Sequence, residues 1–161
     1  MKVLSDFDKV KARVIPINLT FGKIDSLTEN GICVTAFCLK HSPYWKDGVN
    51  RHENIRNIGY VVELEGTRFY HSGDATFKDN LEAFQQYDFI NKPVDVLFVQ
   101  RYDTSNETKE LVAGSIKPDK IIAMHIKADE LSHWRGRFTK HFPYGIVFDK
   151  QGESYKFILL K

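Results

Sequence analysis

The sequence predicts one α/β layered domain, and three observations carry that reading. Short apolar, β-branched runs alternate with segments of helical periodicity from about residue 55 onward. Strands separated by helices of about 10–15 residues build a sheet with helices packed against it. The 161 residues are 42% hydrophobic and 13% aromatic, enough for one real core and too apolar for low-complexity disorder. No internal repeat and no linker divides residues 1–161, so a single domain is expected.

The elements follow in order. Val14 to Leu19 and Gly31 to Leu39 are rich in β-branched and apolar residues and read as strands. A polar loop with Pro43 and Gly48 runs from Ser42 to Asn57. Ile58 to Leu64 and Arg68 to His71 form a hairpin turning at Glu65-Gly66. Phe77, Leu81, Phe84 and Tyr87 share one helical face, which predicts a helix from Phe77 to Tyr87. Val94 to Val99 reads as a short buried strand. Ser105 opens a second helix through Ser115, closed by Lys117-Pro118. Lys120 to His125 is a strand, and Asp129 to His141 a helix stopped at Pro143. Tyr144 to Phe148 and Tyr155 to Leu160 make a final hairpin turning at Gln151-Gly152.

Charge and cysteine usage exclude several functions. Twenty-three Lys and Arg against 21 Asp and Glu leave +2, with the signs interleaved, so no nucleic-acid partner is expected. Lys127, Arg135, Arg137 and Lys140 read as one solvated helix face. No apolar run approaches the ~20 residues of a spanning helix. The segment Met1 to Asp8 places acids where a signal peptide continues its apolar stretch, so a cytoplasmic location is expected. Cys33 and Cys38 lie five apart on one strand, on opposite faces, and cannot pair.

Three strand ends finish in a potential metal ligand: His41 after Leu39-Lys40, Asp74 after Tyr70-His71-Ser72-Gly73, and His125 after Met124. Open α/β sheets place their sites at strand ends, where loops converge side chains on one point. Imidazole and carboxylate are the ligand types that hold zinc, iron or manganese in hydrolytic sites. Gly73 lets the backbone turn sharply, so that Asp74 projects from the strand tip. Asp74 is equally a natural cap for a helix beginning near Thr76.

The segments Val34 to His41, Asn57 to Tyr60, Phe69 to Asp74, Val94 to Phe98 and Lys117 to His125 together resemble the C-terminal portion of a metallo-β-lactamase-fold hydrolase. The resemblance runs from about residue 12 to the end. It implies a layered sandwich half, a mixed sheet with flanking helices. It also implies a divalent metal site, with His41 at the first metal position, Asp74 bridging two metals and His125 holding the second. Zinc is the expected ion, with manganese or iron as alternatives. A bridged pair of ions makes hydroxide available near neutral pH. Arg101 and Tyr102 fall where the family places substrate-contacting loops.

The family's His-x-His-x-Asp-His segment is absent: the histidines stand at 41, 52, 71, 125, 133 and 141. Met1 falls where the family's second half begins, so an incomplete hydrolase relative of the ester, lactone or phosphodiester class is expected, weak or inactive alone, with no catalytic residue assigned. The alternative is a non-catalytic module, a homodimer or a chain that binds a missing N-terminal half. Among the remaining histidines, His71 is expected behind the ligands or in the core. His52, in the polar loop beside Arg51 and Glu53, is a substitute ligand, while His133 and His141 are expected to cover the sheet.

Overall fold

A computed structural model describes residues 18–150 and 152–154. Its central feature is a seven-stranded mixed sheet of β1 (Ile24–Glu29), β2 (Ile32–Lys40), β5 (Arg56–Leu64), β6 (Thr67–His71), β7 (Val96–Gln100), β8 (Lys120–Met124) and β9 (Gly145–Ile146), in that spatial order. A two-stranded ribbon of β3 (Trp45–Lys46) and β4 (Val49–Asn50) stands apart. β1, β2, β5 and β6 pair antiparallel, whereas β6, β7, β8 and β9 pair parallel.

The antiparallel half is built by hairpins of one chemistry. Asn30-Gly31, Asp47-Gly48 and Glu65-Gly66 each put both turn residues at positive φ (51 and 78°, 53 and 74°, 50 and 75°). That geometry matches the right-handed twist of the strands it joins and needs glycine second. The parallel half is joined by helical crossovers: a 3-10 turn (Lys78–Asn80) leading into α1 (Leu81–Phe84), α2 (Asn106–Leu111) and α3 (Leu131–His141).

The core lies between one sheet face and these helices. Phe37, Leu39, Val61, Tyr70, Leu97 and Val99 pack against Phe77, Phe84, Val112, Ile116, Phe138 and Phe142. Phe37 is fully buried among Tyr70, Phe84 and Tyr87, with ring centroids 5.6–5.7 Å away. Aromatic pairs at this spacing contribute beyond their buried area. No helix among the described residues is long and apolar enough to cross a membrane.

Several expectations change. A helix from Phe77 to Tyr87 is replaced by a 3-10 turn and a single α-helical turn, with Leu81 at the surface. Asn80 leaves helical geometry (φ −135°, ψ 22°) because its side chain pairs with β2. Its Oδ1 accepts from Lys40 N at 2.6 Å and its Nδ2 donates to Lys40 O at 3.1 Å. β1 and the β3-β4 ribbon were not expected. α2 begins as expected, with Ser105 Oγ accepting from Thr108 N at 3.1 Å. It passes into a π-helical stretch, Val112–Ile116, that ends at left-handed Lys117 (φ 48°). In α3 the buried residue is Phe138, while His133 is exposed against Trp134 and does not cover the sheet. Val14 to Ile17 and Tyr155 to Leu160 lie outside the described residues, and Asn18 and Leu19 form no strand.

Removing the ring at the centre of this core should be costly. Phe37→Ala is expected to lower unfolding free energy by about 3–5 kcal/mol, read as a lower urea midpoint by circular dichroism.

Candidate metal centre and adjoining cleft

Two antiparallel steps, β2 to β5 and β5 to β6, bring β2 back to the direction of β6. The C-terminal ends of β2, β6, β7 and β8 therefore open on one edge of the sheet. They deliver His41, Asp74, the Gln100-Arg101-Tyr102 segment and His125 to it.

Asp74 is placed by a backbone clamp. Gly73 sits at φ +59°, and a Cβ there would meet Asn57 Oδ1 at 2.5 Å and Ile58 O at 3.0 Å. Asn57 fills that space: its Oδ1 accepts from Asp74 N at 2.7 Å and its Nδ2 donates to Ser72 O at 2.8 Å. From β7, the fully buried Gln100 turns its Nε2 to Gly73 O and to Asp74 Oδ1, the latter at 3.1 Å. From β2, Ser42 gives both its N–H (2.8 Å) and its hydroxyl (2.6 Å) to Asp74 O. Asp74 does not cap a helix: no side-chain cap bond joins it to the 3-10 turn that follows.

The carboxylate is shared between two imidazoles. His125 Nδ1 lies 2.8 Å from Oδ1, and His41 Nε2 lies 3.6 Å from Oδ2. His125 stands just beyond β8 at φ +58°, an uncommon conformation for a residue with a side chain. His41 Nδ1 lies 2.9 Å from Ser42 O, and His52 Nδ1 lies 3.0 Å from the same carbonyl. A carbonyl only accepts, so both rings carry a proton on Nδ1, and their neutral forms present Nε2 as a lone pair. This is how a histidine is oriented to bind metal through its other nitrogen. The two rings meet edge to face with centroids 4.2 Å apart. His71, exposed at the end of β6, accepts from Gly73 N through its Nδ1 at 3.0 Å. Burial, and secondarily the nearby His125, lowers its pKa.

The donors suit a divalent ion in kind, two nitrogens and a carboxylate. They do not complete a coordination sphere: among the described residues no group of three or more His, Cys, Asp or Glu is arranged to hold a metal ion. The two imidazoles address different oxygens of one carboxylate, the arrangement of two partial sites and not of one whole site. Cys33 and Cys38 are both free and take no part.

A cleft of about 550 Å³ opens beside His41, with Ser42, Tyr44, His52 and Tyr102 among the residues that line it. Tyr102 OH is 2.7 Å from Ser42 Oγ, whose own proton goes to Asp74 O, so the phenol is the donor of that pair. Burial raises the Tyr102 pKa. Arg101 is engaged elsewhere. Its Nη2 pairs with Glu130 Oε2 at 3.3 Å, and its guanidinium carbon lies 5.1 Å from the Trp134 ring centroid. Sequence reasoning assigned no role to Asn57 or Gln100. Their one signal was position, at the ends of strands flanking Ser72-Gly73-Asp74.

The profile of the beta-lactamase superfamily domain matches residues 5–125, so this chain belongs to that family. It is 32% identical over 88 residues to the UPF0173 metal-dependent hydrolase of Thermococcus onnurineus (strain NA1), a match covering 52% of this chain and 38% of that protein. Among solved structures, it is similar to a candidate Zn-dependent hydrolase of the metallo-beta-lactamase superfamily from Thermotoga maritima. That pair shares 23% identity and a TM-score of 0.47, over 73% of this chain and 56% of the other. A candidate metal-dependent hydrolase from Parabacteroides distasonis shares 15% identity and a TM-score of 0.49, over 89% and 62%.

The clamp is testable by itself. Asn57→Ala leaves the Asp74 N–H without its acceptor, while Ser72 O keeps the Ala75 N–H at 3.3 Å, and is expected to cost about 1–3 kcal/mol. Chemical denaturation measures the loss.

Proposed function

We propose that this chain contributes Asp74, His41 and His125 to the metal centre of a hydrolase of the beta-lactamase superfamily, acting on an ester, lactone or phosphodiester. The observation that carries the reading is the divided carboxylate: Asp74 offers Oδ1 to His125 and Oδ2 to His41. A divalent ion held by Asp74, His41 and His125 would supply Lewis acidity for the carbonyl or phosphoryl group and would make a water more acidic. Zinc suits these ligands, and manganese and iron also accept them.

The chain's own residues do the positioning. Ser42 O holds His41 and His52 with Nε2 directed outward, and Asn57 and Gln100 hold Asp74 against the sheet edge. His52, packed on His41, is a further nitrogen donor beside it. Tyr102, tied through Ser42 to the backbone of Asp74, forms a cleft wall continuous with the centre, where a substrate is oriented.

A second reading has its own observation. Leu27, Ile32 and Leu64 are 40–45% exposed. The strand register, with Leu27 opposite Val34 and Val34 opposite Val62, puts them on the sheet face away from the core helices. Such a face favours association, and a homodimer formed through it would be a binding module.

Elemental analysis of protein purified without chelator tests the first reading, alongside solution mass for the second. The native chain is expected to retain a divalent metal and Asp74→Ala to lose it; equal metal content in the two would remove the assignment. A metal-free, stable dimer would favour the module. Hydrolysis of an aryl ester, a lactone and an aryl phosphodiester, each with zinc, manganese and iron(II), sorts the substrate class.

A further inference from the structure

We propose that the cleft beside His41 recognises an anionic group on the substrate, a phosphate or a carboxylate, through Lys78 and Arg137. The inference rests on the hydrolase reading and names a substrate class for it.

The cleft volume, about 550 Å³, is that of a small-molecule site. Four charged side chains line it: Lys78, Asp79, Asp103 and Arg137. Both carboxylates also accept hydrogen bonds within the protein, Asp79 from an exposed position. Asp79 Oδ2 accepts from Thr76 Oγ1 at 2.5 Å. Asp103, 2% exposed, accepts from Thr108 Oγ1 at 2.5 Å and from Phe77 N at 2.7 Å. Among the described residues the side chains of the two cations form no ion pair and no hydrogen bond, although the charge of Lys78 acts at longer range on Asp103 and Glu107. The guanidinium of Arg137 lies 5.5 Å from the Trp134 ring centroid, a contact that fixes it beside the cleft.

Three hydroxyls of the wall are committed as well. Ser42 Oγ donates to Asp74 O, Tyr102 OH donates to Ser42 Oγ, and Ser105 Oγ donates to Thr108 Oγ1. The charged donors that line the cleft are the ammonium of Lys78 and the guanidinium of Arg137, the groups that take oxyanions. Arg101 cannot serve, since Glu130 holds it. An oxyanion at these cations shares the cleft with His41, His52 and Tyr102.

The test is titration calorimetry on the full chain, stripped of metal with chelator, at low salt. The probes are phenyl phosphate, benzoate and neutral phenol. Phenyl phosphate, benzoate or both are expected to bind, and phenol to fail; the tighter anion identifies the source of the charge. Lys78→Met and Arg137→Gln are each expected to weaken the better anion by about tenfold. Phenol binding as well as the anions, no anion binding, or native affinity in the Lys78→Met/Arg137→Gln double variant would overturn the proposal. Anion binding in a chain whose metal content is unchanged by Asp74→Ala defeats the hydrolase reading and leaves this site standing. Metal loss in Asp74→Ala without anion binding in the native chain does the reverse.

Discussion

A left-handed glycine pressed against an asparagine amide decides where the carboxylate of Asp74 stands. Gly73 has room for no Cβ, because Asn57 occupies the space and bonds to the backbone on both sides of the turn. Gln100 seals the turn from β7 and Ser42 from β2, so three strands converge on one peptide segment. Each contact is of ordinary strength, about 1 kcal/mol net. Their effect is cumulative, because the segment they hold has no helix or ladder of its own. What His41 and His125 meet at the sheet edge follows from this clamp.

The same economy governs the cleft. Buried Asp103 joins the start of the first crossover to α2, through Phe77 N and Thr108 Oγ1. Burial raises its pKa, and the two donors oppose that shift. A carboxylate used this way stabilises the fold, and its charge still reaches the cleft, where it adds to the rise in the Tyr102 pKa. Arg101 is likewise spent, on Glu130 and Trp134, while Arg137 reaches the same tryptophan from α3. Interior satisfaction of some charges thus determines which others remain for a ligand.

The sheet's strong runs were legible because their residues carry their own signal. β5 and β6 flank Glu65-Gly66, and β7 and β8 are unbroken apolar runs between helices. The stretch Phe77 to Tyr87 misled, since its apolar spacing suits a helix while Asn80 is drawn off to the backbone of Lys40. β1 was obscured for another reason: five of its six residues are exposed, so the edge strand shows no apolar pattern, although Asn30-Gly31 marks its turn. His41, Asp74 and His125 were recognisable as strand-end ligand types. The direction of each ring was not.

By itself the sequence determined the α/β alternation, the hairpin turn at Glu65-Gly66, the family and the residue types at the three strand ends. These depend on local periodicity, on backbone freedom at particular residues and on motif order, all of which are written along one dimension. Tertiary structure decided the rest: that Asn57 and Gln100 hold Asp74, that each oxygen of its carboxylate faces a different histidine, and that Arg137 rather than Arg101 lines the cleft. Those outcomes turn on partners 17 to 51 positions apart or on competition between charges for the same partners. Sequence order says nothing of which partner wins until the strands are laid side by side.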